Sequence, residues 1–388
     1  MENIKLPVAF SIIVDDVGWF RGDDMRMLNG PARSGMPRFH HPDDVRALNE
    51  IAKKLGTKIL CSLVLGDWDK NNRMRGIPHF TAEEGEWDCA KGFDHGYAEA
   101  YFRALEESEW LDYSLHGLLH SYYEEGKLIS ARQYYPFNSD GHGNKLDGWR
   151  WLDPAEFAEM IRVFYQIYAD WGFKKPIVDF VSPCGCFGTD TDEGNVAYAK
   201  VLKEYGILYW SNSWTHLKEH TGTIEGILIS KGDGGITKWN ALGGNPRYLK
   251  LNAPGGCVGT HLCGHLTNFI RYDYQDNFEY VDAWVEYFNK YTELFGSMLA
   301  YDNAESCSQS YYARVAKVTA ADGGYEIDLS AVDATDAPGL QSVFYVSLKS
   351  GVEPTSCEGG EISLHEEKQL FKTYKIVRDG ASVVRIKI

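Results

Sequence analysis

No apolar run in this chain approaches the roughly 18 residues that a membrane-spanning helix needs, and its first residues, MENIK, are polar. The expectation is a soluble protein without a membrane partner, cytoplasmic, or secreted if a signal peptide has been trimmed. Basic residues are outnumbered: 39 Lys and Arg face 55 Asp and Glu, leaving a net charge of −16. Such a surface repels phosphate backbones, which excludes nucleic acid as a partner. Paired CxxC motifs are missing from the eight cysteines, so a structural zinc site is not expected. Cys184 and Cys186, in PCGC, stand too close for an easy disulfide and read as free thiols. Internal repeats and low-complexity segments are also absent. What is present describes an ordinary globular protein: 388 residues, 44% hydrophobic and 24% charged, room for one large and one small domain. Aromatic residues make up 14%, and most of them are expected to fill a core, although aromatic faces also stack on sugar rings.

Up to about residue 300, strand-like and helix-like runs alternate, the pattern of an α/β protein with a mostly parallel sheet. Strands are expected at Val8–Val14, Lys58–Leu65, Leu111–Leu115, Pro176–Val181, Ile207–Trp210, Gly226–Ser230 and Gly256–Leu262. Amphipathic helices are expected at Pro42–Leu55, Tyr97–Trp110, Pro154–Trp171 and Tyr280–Leu294, with Asp43 and Asp44 favouring one N-terminus and Asp153-Pro154 opening another. Seven such units suggest an irregular (β/α)7-type barrel over residues 1–310, its site at the carboxyl ends of the strands. The segment Gln133–Trp151, rich in Gly, Asn, Asp and aromatics, reads as a surface loop over the barrel mouth. After Tyr312 the helices stop and six alternating strands follow, so 311–388 reads as a separate antiparallel β-sandwich.

The chemistry is expected at strand ends. In LDYSLHGLLHSY, His116 and His120 are four residues apart, and on a helical turn both rings would face one metal ion. A catalytic centre wants a third protein ligand, and SIIVDDVG offers Asp15 and Asp16 where an apolar strand ends. One carboxylate can ligate an ion while its neighbour takes a proton from water, the division of labour of metal-assisted hydrolysis. The same spacing recurs twice. His216 and His220, in HLKEH, lie in a polar run and read as an exposed helix face; His261 and His265, in HLCGH, follow the last strand and are placed for general acid catalysis.

These motifs resemble those of the polysaccharide deacetylase superfamily, the NodB-type enzymes similar to carbohydrate esterase family 4. Its T-F-D-D-G motif looks like Ile13-Val14-Asp15-Asp16-Val17, and its H-[ST]-x-x-H like His116-Gly117-Leu118-Leu119-His120, with Gly117 in the hydroxyl position. Its R-x-P-Y-G resembles Val181-Ser182-Pro183-Cys184-Gly185 without the arginine, and His261 or His265 matches its final L-x-H. The resemblance implies a metal-dependent carbohydrate N-deacetylase. Asp15 would be the base, and Asp16, His116 and His120 the ligands of a divalent ion, zinc first, with cobalt, manganese or nickel as alternatives. Trp19, Pro183, Cys184 and Gly185 would line the substrate, the Cys184 backbone N–H would face the oxyanion, and His265 or His261 would be the acid. The implied partner is an N-acetylated sugar or glycan. Rival readings are a non-haem iron enzyme with the same ligands, a glycoside hydrolase, and a non-catalytic sugar binder on a degenerate barrel.

Overall fold

A computed structural model describes residues 3–18, 38–92, 94–130, 133–134, 137–139, 145–150, 152–183, 192–211, 222–230 and 261–388. In chain order its elements begin β1 (Ile4–Lys5), β2 (Ala9–Val17), α1 (Pro42–Leu55), β3 (Ile59–Val64), α2 (His95–Glu107) and β4 (Leu111–Gly117). Two hairpins follow, β5 (Tyr122–Glu124) with β6 (Lys127–Ser130) and β7 (Phe137–Ser139) with β8 (Lys145–Arg150). Next come α3 (Pro154–Trp171), β9 (Ile177–Val181), α4 (Asp192–Glu204), β10 (Tyr209–Ser211), β11 (Gly222–Ile224), β12 (Ile227–Ile229) and β13 (His261–His265). The chain continues through α5 (Leu266–Phe269), α6 (Val281–Phe295), β14 (Met298–Leu299) and α7 (Asn303–Val315). It ends with β15 (Lys317–Ala321), β16 (Gly324–Asp328), α8 (Ser330–Asp333), β17 (Val343–Lys349), β18 (Ser356–Glu358), β19 (Gly360–Glu367), β20 (Phe371–Arg378) and β21 (Val383–Lys387).

The central strands are buried along their whole length, one face against α1, α2, α3 and α6 and the other, with Ile13, Leu60, Val181 and Cys263, against other strands of the same sheet, which is why β2 and β3 read as continuous apolar runs. They form one sheet in the order β11-β12-β10-β9-β4-β3-β2-β13, with β14 also on β2; every pairing in it is parallel except β11 with β12. Helix α1 starts at Pro42 behind a His41 cap, carries Asp43 and Asp44 in its first turn, and stops at Gly56 in the left-handed conformation. Its Val45, Leu48, Ile51 and Ala52 join the main core. Among the described residues no pairing joins β11 to β13 or β14, so a closed barrel is not established; the architecture is mixed α/β with a mainly parallel sheet and separate antiparallel sheets. The two ends do approach, since Ser230 Oγ, just past β12, lies 2.5 Å from His261 Nε2 of β13. No helix among the described residues is long and apolar enough to cross a membrane.

Side chains on the inner face of this sheet are layered. Ile13, Leu60, Val181 and Cys263 form an apolar layer. Toward the amino ends of the strands lies a buried polar layer around Asn303, which accepts from Ser11 Oγ at 2.8 Å and donates to Asp179 and Ser211. Two residues further along the strands than the apolar layer stand Asp15, Ser62 and His265.

Several expectations change at this level. His116 is the last residue but one of β4 and His120 lies in the bend beyond that strand, so no helical turn presents the pair. HLCGH is itself a strand, β13, and residues 256–260, where the last strand was expected to begin, lie outside the described residues. The segment expected as a surface loop carries the β7–β8 hairpin and buries Gln133 and Tyr134. After Tyr312, where only strands were expected, the chain stays helical to Val315, the end of α7, whose start is capped by Asp302. The two four-stranded sheets β1-β17-β20-β19 and β15-β16-β21-β18 enclose a core that includes Ile327, Phe344, Ile376 and Val384. That core also takes in Ile4 of β1 and Tyr312 of α7.

Candidate metal centre

Adjacent residues of an extended strand point to opposite faces, so Asp15 and Asp16 need a break in regularity to share a cavity. The break is a β-bulge. On β2 the pairs Val14 with Cys61 and Val17 with Leu63 enclose two residues, Asp15 and Asp16, against Ser62 alone. Asp16 absorbs the extra residue with φ 62°, a left-handed conformation that aspartate tolerates better than most side chains. A second bulge lies one strand away: Leu63 pairs with Leu115 and Val64 with Gly117, leaving His116 as the inserted residue of β4. Two parallel strands on either side of β3 thus carry bulges at Asp16 and His116, whose ligand atoms approach each other. His120 reaches the same point because the chain reverses after Gly117, with φ 56° at His120.

Asp16, His116 and His120 are all buried, and one ligand atom from each lies within 4.8 Å of the others. His116 Nδ1 sits 2.7 Å from the Val181 carbonyl oxygen and must donate to it, which leaves the Nε2 lone pair directed inward. That Nε2 is 3.4 Å from Asp16 Oδ1, and both atoms are buried without a hydrogen-bond partner. At that distance the contact is electrostatic rather than a formed hydrogen bond. Two acceptors facing each other in a dry site repel unless a cation stands between them, so the donor set and its two orphaned atoms fit a divalent metal ion.

His265, the last residue of β13, pairs across the sheet with Asp15 and puts Nε2 3.2 Å from Asp16 Oδ2. Its side chain is 18% exposed against 3% for that of Asp16, so it opens the site toward solvent. Burial alone would raise the Asp16 carboxyl, but the charge of His265, the contact with His116 and the charge of His120 hold it well below the usual carboxylate range. Asp15 is buried beside it and accepts from Ser62 Oγ at 3.1 Å. Val181 occupies the place of the arginine in the resembled motif, and its side chain belongs to the apolar layer.

The structure divides the remaining candidates. His261 shares a strand face with His265, but four residues of strand span about 13 Å, so only His265 reaches the aspartates. Both nitrogens of His261 are engaged, Nδ1 with Ser11 Oγ at 2.7 Å and Nε2 with Ser230 Oγ, and burial pushes its ring down to about 3. It is a neutral bracket of the polar layer and not the acid. Pro183 is buried just past β9, at the carboxyl edge of the sheet. Trp19, Cys184, Gly185, His216 and His220 lie outside the described residues.

Three residues escaped the sequence reading. Ser62 had no signal beyond its place in a strand. His40 is buried in the stretch leading into α1, and burial, against the opposing charges of Asp44 and Asp16, pushes its ring down to about 4; its only signal was the HHPDD that opens the helix. Gln133 accepts from the backbone N–H groups of Leu118 and His120, at 2.8 and 3.0 Å, and nothing in its neighbourhood in the chain announced it.

No family model and no curated protein matches the sequence. Among solved structures, the chain is similar to one described as a "putative polysaccharide deacetylase from Mycobacterium smegmatis", at 11% identity and a TM-score of 0.35, over 76% of this chain and 87% of that one. It is equally similar to a 4-alpha-glucanotransferase from Thermococcus litoralis, at 12% identity and a TM-score of 0.36, over 76% of this chain and 39% of the other. Likenesses that distant carry no argument about activity, and what the molecule itself offers is its site: a buried Asp, His and His cluster at the carboxyl ends of β2 and β4, two parallel strands with β3 between them.

Proposed function

We propose that the chain is a metal-dependent hydrolase that removes acetyl groups from N-acetylated sugars, with Asp16, His116 and His120 holding a divalent ion, zinc first. The observation that carries the reading is the pair of orphaned, buried ligand atoms, His116 Nε2 and Asp16 Oδ1, facing each other at 3.4 Å beside His120. A bound ion would supply Lewis acidity toward an acetamide carbonyl and make water easier to deprotonate. The protein does the rest with protons and position. Asp15, held by Ser62 on the same side of the sheet, takes the proton of the attacking water. His265, oriented by Asp16 and open to solvent, returns a proton to the departing amine nitrogen. His116 is fixed in one tautomer by the Val181 carbonyl, and the apolar layer beneath excludes water from the floor of the site.

Metal analysis of the purified protein together with acetate release from a panel of N-acetylated sugars tests this directly. About one equivalent of metal and measurable acetate are expected, and His116→Ala or His120→Ala should lose both. A wild-type protein that takes up no divalent ion, or one that releases sugar and no acetate, rules the reading out.

A further inference from the structure

The bend that carries His120 has to be held open by something other than secondary structure, because β4 ends at Gly117 and the chain turns back at once. Its backbone groups can be followed one by one. The Gly117 and Leu118 carbonyls accept from the N–H groups of Leu65 and Gly66, at 3.0 and 2.8 Å, which ties one side of the bend to the end of β3. On the other side, the N–H groups of Leu118 and His120 converge on one atom, Gln133 Oε1, at 2.8 and 3.0 Å. These donors belong to buried residues, and a buried N–H that loses its acceptor is a state folded proteins avoid. Gln133 is itself seated by its neighbour: the Tyr134 ring is buried between Phe157 and Phe180, at centroid distances of 5.2 and 5.8 Å.

The glycine between the two histidines belongs to the same device. A Cβ on Gly117 would stand 2.8 Å from Gln133 Oε1, closer than side-chain carbons come to oxygen. A hydroxyl-bearing residue at that position, as in the resembled H-[ST]-x-x-H motif, and Gln133 in its present place therefore exclude each other. We infer that Gln133 is a positioning residue of the metal centre, its amide oxygen clamping the Leu118 and His120 N–H groups so that His120 meets the ion, with Gly117 as the space it requires. The inference rests on the metal-centre reading above and adds a residue to it that neither the motif nor the ligand set contains.

Metal affinity is the readout, with Co²⁺ followed by its d–d absorption and Zn²⁺ by competition with a chromophoric chelator. Gln133→Met keeps the length of the side chain and removes the acceptor; it should weaken both ions by about 10- to 100-fold and alter the cobalt spectrum, as loss of a supporting hydrogen bond around a metal ligand does. Gln133→Glu keeps an oxygen in place for both N–H groups and should restore near wild-type affinity and spectrum, which a purely space-filling role would not require. Should Gln133→Met fail to fold, Gln133→Leu, which likewise lacks an acceptor, makes the same test, and a comparable loss of affinity is expected. Wild-type affinity in Gln133→Met or in Gln133→Leu, or a Gln133→Glu variant as weak as Gln133→Met, overturns the role of Gln133 while leaving the metal centre intact. A wild-type protein that binds neither Co²⁺ nor Zn²⁺ overturns both, and the His116→Ala control tells the two failures apart.

Discussion

Asp15 and Asp16 are neighbours in sequence with different surroundings, and the difference can be measured. Asp15 accepts from Ser62, whereas Asp16 lies between His116 and His265 with an orphaned oxygen directed at the histidine pair. Asp15→Asn keeps size and hydrogen bonding and removes the base, so metal content should stay while acetate release falls by roughly 10²- to 10⁴-fold. Asp16→Asn should lose the metal itself; the reverse pattern in elemental analysis would exchange the two assignments. His261 makes a prediction of another kind. Its folded ring titrates near 3 against an ordinary 6.5, so below pH 6.5 the unfolded chain binds a proton that the folded one refuses. Stability from this group is therefore complete above pH 6.5 and is lost as the pH falls toward 3, by about 1.4 kcal/mol for each unit in that window. His261→Gln cannot take up that proton. Its stability deficit against wild type at pH 7 should shrink steadily toward pH 4 in urea unfolding, and a deficit that does not change with pH would mean that His261 is not held neutral.

The bulges of β2 and β4 were hidden from the sequence for a physical reason. Hydrophobic periodicity reports which runs are extended, and SIIVDDVG and LDYSLHG were legible as strands; an inserted residue does not alter composition, so the kink that turns Asp16 and His116 toward each other leaves no trace in the pattern. The spacing of the histidines singled out the pair that the structure brings together while suggesting the wrong element: the two rings meet because the chain reverses between them after Gly117, not because they share the face of a helix. Helix α1 was legible to its ends from its proline, its first-turn aspartates and its apolar stripe, while α7 was not. Its NAESCSQSYYARV buries Asn303, Ser306 and Gln309 to hydrogen-bond other elements, so its apolar stripe of Ala304, Cys307, Tyr311 and Val315 is interrupted by buried polar residues and reads weakly. Gly18 gives this level its test. It follows the bulged strand in a turn at φ 109°, a Cβ there would lie 2.7 Å from the Val64 carbonyl oxygen, and its own carbonyl accepts from Trp68 Nε1 at 2.8 Å. Gly18→Ala should cost about 1–3 kcal/mol in urea unfolding, and metal affinity should fall with it because Asp16 is two residues away. A stable variant with unchanged affinity would show that the turn after β2 does not set the position of Asp16.

At the scale of the whole molecule the alternating strands of the tail made its antiparallel sheets legible, and their attachment was not. We propose that the sandwich is a unit with its own core that is built onto the sheet-and-helix body through α7 and the N-terminal strand. Strand β1 pairs with β17 inside the sandwich, so residues at the two ends of the chain share one sheet. The amide of Gln309, in α7, donates to the Pro7 and Tyr345 carbonyls and accepts from the Tyr345 N–H, stitching the chain before β2, the helix and the sandwich together at one buried side chain. Tyr345 in turn packs on Ala9, Met298 and Ala300 of the body. A cut at 310/311, where composition alone would divide the chain, severs α7 and leaves Ile4, Gln309 and the patch beneath Tyr345 facing water. Buried polar groups that lose their partners and apolar groups that lose their cover both favour the unfolded state, and both losses fall on the segment that leads into Asp15 and Asp16. A chain ended at Ser310 is therefore expected to be poorly soluble or to unfold without cooperativity, and to lose metal although all three candidate ligands remain. Gln309→Ala in the full-length chain isolates the attachment: it should lower the urea midpoint of body and sandwich together, as one transition. Two separate transitions in that variant, or a cooperative, metal-binding chain ending at Ser310, would show that the body folds without the sandwich.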